Sequence, residues 1–86
     1  MEDTVYIILA HIENTSENEF VGIFTDVVKS TIFCEDLIAK DKNLEFSKLT
    51  VHPIKLNEAF DYASFEDKVV VCFEKNSETG ILELQK

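Results

Sequence analysis

Residues Val21-Gly22-Ile23-Phe24-Thr25-Asp26-Val27-Val28-Lys29-Ser30-Thr31-Ile32-Phe33-Cys34-Glu35-Asp36-Leu37-Ile38-Ala39-Lys40 carry a short apolar run straight into the one segment with a clear 3.6-residue apolar period. Thr25 is a good N-cap. Asp26 places a carboxylate in the first turn, where unpaired N–H groups and the positive end of the helix dipole favour it. At about 100° per residue, Val27, Val28, Thr31, Ile32, Cys34, Leu37, Ile38 and Ala39 fall on one broad face, with Lys29, Asp36 and Lys40 opposite. The spacing therefore predicts a helix with one buried and one wet side, and puts Phe33 at the rim of the buried arc. The polar run Lys40-Asp41-Lys42-Asn43 is the stop signal.

Upstream, Thr4 to Ile12 is rich in β-branched residues, with Val5, Ile7 and Leu9 on one parity and Tyr6, Ile8 and Ala10 on the other. Apolar residues on both parities predict a central strand, or one covered on each side. The polar stretch from Glu13 to Glu19 is a turn, and Phe20 to Phe24 returns as an antiparallel strand in which Gly22 marks a bulge or a close helix approach. Downstream, Leu44 and Phe46 belong to a short anchoring turn. Leu49, Val51, Ile54 and Leu56 form a third strand that changes parity at Pro53, which predicts an edge position or a bulge there. The beginning of the stretch from Asn57 to Asp67 predicts a helical turn. Lys68 to Glu74 is a fourth strand, and the loop ending at Gly80 returns it into a fifth, Ile81 to Leu84. The order β-β-α-β-β-β defines an α+β domain spanning residues 1–86, an antiparallel sheet of four or five strands with one helix packed on one face.

The chain has 86 residues, 45% of them apolar, with seven Phe, two Gly and one Pro. This is enough for one core built from regular elements, and the composition is not that of a disordered segment. With 17 acidic against 8 basic residues the net charge is −9. Such a surface repels phosphates, so direct nucleic-acid binding and docking on an anionic membrane are both disfavoured. The acidic opening Met1-Glu2-Asp3 is not that of a signal peptide, and no apolar run reaches the ~20 residues of a membrane-spanning helix. Cys34 and Cys72, far apart and in apolar surroundings, are expected to be reduced core thiols of a cytoplasmic protein, a disulfide between them being the alternative.

The opening Val5-Tyr6-Ile7-Ile8-x-x-His11, an acidic turn, and then Val21-Gly22-Ile23-Phe24-Thr25 running into a helix resembles a group of small phage and bacterial domains of unknown function. In those domains a hairpin whose second strand reads roughly Gly-Val-Phe-Ser feeds a helix that is followed by further strands. The resemblance covers the first half of the chain. It implies a hairpin-helix-strand fold and a phage setting, which would place the protein in the host cytoplasm; it implies no activity and no site residues.

No catalytic, cofactor-binding or metal-binding constellation stands out. His11 and His52 could join Glu13 or Asp61 around a metal, but neither has a second ligand at helical or Cys/His spacing, so a structural or exposed role is expected. Ser30, Thr31 and Ser64 lack a nucleophile context. Cys34 stands beside Glu35 and Asp36, whose charge opposes thiolate formation. The pairs Asp26 with Glu35 and Asp61 with Glu66 lack the buried partner that general acid/base work needs. A non-enzymatic protein is expected.

The acidic surface is more informative. Glu13, Glu17, Glu19, Asp26, Glu35 and Asp36 face Lys29 alone between residues 13 and 36, and Glu58, Asp61, Glu66 and Asp67 stand among Phe60, Tyr62 and Phe65 with no base. If the two stretches lie on one side of the sheet, Glu13, Glu17, Glu19, Glu58, Asp61, Tyr62, Glu66 and Asp67 would form a patch suited to a basic groove on a nucleic-acid-binding host protein. There carboxylates would stand in for phosphates and aromatics would fill pockets. The bland alternative is a solvated face with Phe60 and Phe65 closing the core. The expected function is thus an inhibitor or adaptor, an anti-defence product among the options, with no cofactor. The alternatives are a small oligomeric protein, a homodimer for instance, that sequesters a small ligand such as a nucleotide signal, or a structural assembly component.

Overall fold

A computed structural model describes residues 4–40 and 46–85. Strands β1 (Thr4–Ile12) and β2 (Asn18–Phe24) form a hairpin, helix α1 (Val27–Lys40) crosses the sheet, and β3 (Phe46–Lys55) returns beside β1. A short helix α2 (Tyr62–Asp67) precedes the hairpin of β4 (Val71–Lys75) and β5 (Leu82–Gln85). All pairings are antiparallel and the strand order is β2-β1-β3-β4-β5. The chain is α+β, as the alternation of strands and a single long helical period predicts. Leu44 and the stop signal Asp41-Lys42-Asn43 lie outside the described residues.

β1 pairs on both sides along its length, to β2 and to β3. Its even parity builds the main core: Ile8 and Ala10 are fully buried with Leu49 and Val51 of β3, Phe73 of β4, Leu82 of β5 and Cys34 of α1, and Tyr6, Val21, Phe24, Phe33, Leu37, Ile38, Phe46 and Val71 close around them. The odd parity, Val5, Ile7 and Leu9, faces the other side of the sheet. The apolar parity of β3 changes at Pro53 for this reason. Leu49 and Val51 serve the α1 side, whereas Ile54 shares a face with Val5 on the opposite side.

Pro53 sits in an unbroken strand opposite Tyr6, so the expected bulge is not there. The edge character is: the Val51 carbonyl accepts the Val70 N–H, so Pro53, two residues on, also directs its backbone nitrogen away from β1, where the β4 ladder has already ended. The bulge lies instead between Ile8 and Leu9 opposite β2, next to Gly22. A Cβ on Gly22 would stand 3.2 Å from the ring of Phe24, so the glycine admits that ring rather than the helix.

The helix begins one residue later than the sequence suggests. Asp26, not Thr25, is the cap, its Oδ1 accepting the N–H groups of Val28 (2.7 Å) and Lys29 (3.3 Å). Its buried face is also rotated. Ser30 and Cys34 are fully buried, while Val28, Ile32 and Ala39 are exposed. Phe33 accounts for this: it turns inward onto Phe24, ring centroids 5.3 Å apart, and carries Leu37 and Ser30 with it. Burying Ser30 leaves nothing unsatisfied, because its hydroxyl donates to the Val27 carbonyl at 2.7 Å, as does that of Thr31 at 2.8 Å.

Two further expectations are corrected. The helical turn in the stretch from Asn57 to Asp67 forms at its end, because Asp61 caps α2 by accepting the Ser64 N–H at 3.4 Å. The fourth strand starts at Val71 rather than Lys68, since α2 and its exit occupy the preceding residues.

Gly22→Val should lower stability by about 1–3 kcal/mol through the clash with a Phe24 ring that Phe33 holds in place. Chemical denaturation should show the loss, and a Phe24→Leu background should reduce it.

Candidate functional site

The parity of β3 that faces away from α1 runs Lys48, Thr50, His52, Ile54, two polar residues between a lysine and an aliphatic. Register places Thr50 opposite Leu9 and His52 opposite Ile7, with His11 opposite Lys48. Thr50 and His52 are each only 3% exposed. Buried polar groups need partners, and here they find one another. His52 Nδ1 lies 2.8 Å from the Phe65 carbonyl and His52 Nε2 lies 2.8 Å from Thr50 Oγ1, which in turn lies 3.0 Å from His11 Nε2.

The chemistry of the acceptor fixes the direction of this chain. A carbonyl only accepts, so Nδ1 of His52 carries a proton and, in the neutral ring, Nε2 is the acceptor. Thr50 must then donate to His52 and accept from His11 Nε2–H. Every group is satisfied with both imidazoles neutral. Protonating His52 would leave the Thr50 hydroxyl proton without an acceptor in a nearly dry position. Burial, then the charges of Lys48 and His52, hold the pKa of His11 below its ordinary value of 6.5, against a hydrogen bond to Asn18 that raises it.

The chain ties α2 to the sheet. Phe65, the buried residue of α2, stacks on His52 with centroids 4.7 Å apart, and it supports Phe60 (5.4 Å) and Tyr62 (6.2 Å). Phe60 and Tyr62 are 60% and 57% exposed. An outward-facing pair of aromatics thus rests on one buried ring. Tyr62 is coupled to Glu66, one turn away, whose hydrogen bond and charge raise the phenol pKa. Between α2 and the end of β3 lies a half-open cleft of about 310 Å³, floored by Pro53, Ile54 and Phe65 and rimmed by Lys55, Lys68, Glu58 and Asp61.

The sequence-predicted acidic residues fall into two groups. Glu13, Glu17 and Glu19 lie at the β1–β2 turn, beyond Ile12, whereas Glu58, Asp61, Tyr62, Glu66 and Asp67 follow Lys55, which pairs with Thr4 at the other end of β1. At ~3.3 Å per strand residue the groups are roughly 25–30 Å apart. They are not one continuous patch. Glu13 is engaged by Lys75 at 3.0 Å, and Asp61 is spent partly on capping α2.

Both cysteines are free thiols. Burial, and secondarily Glu35, pushes Cys34 up to about 11, while Cys72 lies half-buried outside the α1 core with its pKa raised mainly by burial. Among the described residues no group of three or more His, Cys, Asp or Glu could hold a metal, and no helix is long and apolar enough to cross a membrane. Thr50 has an imidazole beside it, but at 3% exposure it is closed to a substrate. Comparison with known proteins returns no matching family model, curated protein or solved structure.

The His11–Thr50–His52 chain escapes a reading by motif because its members come from two strands. The signal it left is the pair Thr50 and His52 at alternate positions of an otherwise apolar strand.

His52→Ala should cost about 2–4 kcal/mol, from an orphaned Thr50 hydroxyl and Phe65 carbonyl together with the lost stack. Urea titration would measure it. For His11 the folded pKa is depressed, so the unfolded state binds more protons below pH 6.5 and the ring's contribution to stability is lost as pH falls from there through the folded value. The stability advantage of wild type over His11→Gln should therefore be larger at pH 8 than at pH 5, as read from paired melting curves.

Proposed function

We propose that this chain is a non-enzymatic acidic binding domain, and that its docking surface is the acid-rich aromatic stretch around α2. One observation carries the reading. Phe60 and Tyr62 stand exposed on a buried Phe65 that His52 fixes to the sheet, and Glu58, Glu66 and Asp67 surround them. Exposed, pre-positioned aromatics with a carboxylate rim suit a basic partner. The aromatics enter pockets at low entropic cost, and the charges steer the encounter. With net charge −9 the partner is a basic protein rather than nucleic acid itself. A nucleic-acid-binding host protein, met in the cytoplasm by a phage inhibitor or adaptor, fits this chemistry. The turn acids Glu17 and Glu19, at the far end of the sheet, add to the long-range field rather than to the contact.

The cleft beside α2 favours a second reading. Its two lysines, Lys55 and Lys68, and the Thr4 and Ser64 hydroxyls around an aromatic floor would suit a small planar anion such as a nucleotide.

Affinity capture from a host lysate separates the two. Under the first reading, wild type should retain a basic protein at low salt and release it at high salt, and Glu58→Lys/Glu66→Lys/Asp67→Lys should retain none while its circular dichroism is unchanged. Asp61 is left alone because it caps α2. Retention by the triple variant equal to wild type would remove this surface from the reading. A thermal shift with nucleotides that is lost in Lys55→Glu/Lys68→Glu would favour the cleft.

A further inference from the structure

We infer that the sheet face opposite α1 is a self-association surface, and that its occupant is a second copy of this chain. On the β2–β1 side, register brings Ile23 beside Ile7 and Phe20 beside Leu9, with Val5 and Ile54 adjoining. None of these six is charged, in a chain where 29% of residues are. Phe20 and Ile23 are 59% and 55% exposed. α2 covers this face only over β3, where Phe65 meets His52. Among the described residues no further element covers β1 and β2 on this side. A sheet apolar on both faces requires cover on both.

The shape of the open face points to a second copy. It is a shelf: β2 is its free edge, and α2 is a wall along the β3 side. Rotating one copy by 180° about an axis parallel to the strands and midway over β2 and β1 lays shelf on shelf. Each β2 edge then comes against the other copy's α2. One operation covers the apolar face and the unpaired edge of β2, which otherwise invites uncontrolled strand addition. An uncharged patch offers a basic partner nothing to recognise, whereas it matches itself.

The size is sufficient for a modest interface. With strands ~4.8 Å apart and a rise of ~3.3 Å per residue, three strands over Val5 to His11 span roughly 330 Å² in projection and about 500 Å² once side-chain relief is included. Two copies then bury about 1,000 Å² in total, at the lower bound for a specific interface. A dimer in the micromolar range is expected. Its salt dependence has a definite sign. Each copy carries −9, so screening relieves repulsion between copies and salt should strengthen the dimer. Docking on a basic partner weakens with salt, so the two readings fail separately.

Sedimentation equilibrium from about 10 µM to about 1 mM at low and high salt tests this. The expected result is a reversible shift from 9.8 kDa to twice that mass, with at least a several-fold tighter constant at high salt. Ile23→Lys and Phe20→Ser alter exposed side chains and should remain folded by circular dichroism yet stay monomeric. Ile32→Lys, on the exposed stripe of α1, should dimerise like wild type. A wild-type chain that stays at 9.8 kDa at 1 mM and high salt overturns the inference. So does a dimer that survives Ile23→Lys, or one that Ile32→Lys abolishes.

Discussion

Strand β1 is paired on both edges and apolar on both faces, and this single constraint organises the rest. Its even residues need a layer on one side, which α1 provides through Phe33, Cys34, Leu37 and Ile38. Its odd residues need a layer on the other, and the chain has only the six-residue α2 to offer there. Such a helix is too short to be stable alone, so it must be fixed to the sheet by specific contacts. The Phe65 side chain and carbonyl do this through His52. The hydrogen-bond chain and the stacked ring are therefore consequences of covering a second face with too little material.

The helix on the main face shows how the same constraint sets side-chain size. At its centre stand Ser30 and Cys34, both small and fully buried, over Ala10 and Gly22 on the sheet side. Small residues on both surfaces let helix and sheet approach, and the bulky rings of Phe24 and Phe33 fill the flank instead. The buried serine costs little because the helix itself supplies an acceptor at Val27. Aliphatics at Val28 and Ile32 are consequently left outside.

This explains what was legible in the sequence. Element type and order were readable because β1, β3 and α1 each have a strong period, and the two-faced pattern of β1 announced a covered strand. The orientation of α1 was not. Helical-wheel reasoning weighs each apolar residue alike, whereas one Phe–Phe contact outweighs two aliphatics and turns the face towards Phe33. The cap was misplaced between Thr25 and Asp26 for a related reason: both are good caps, and the choice depends on where the bulge in β2 lets the strand end. Pro53 was read correctly as a residue with an edge but wrongly as a bulge, because a parity change has two causes. One is an extra residue; the other is a change in which face is covered, and β3 has the second. The candidate site was half legible. Its acids and aromatics are local in sequence, but the ring beneath them is held by a histidine thirteen residues upstream, and no local pattern announces that.

The acidic surface and the apolar shelf can be weighed against each other on physical grounds. Carboxylates at Glu58, Glu66 and Asp67 are solvated whether or not a partner is present, so their exposure demands no explanation. Phe20 and Ile23 are different, because adjoining exposed apolar residues over Ile7 and Leu9 on a sheet with a free edge cost solubility unless something covers them. A high negative charge is one means of tolerating such a patch, since it keeps copies apart at low concentration while leaving a specific, geometrically matched contact available. On that view the charge of −9 serves two ends. It biases the outer surface towards basic partners, and it restricts the apolar face to the one arrangement whose contact area is large enough to overcome the repulsion between like charges.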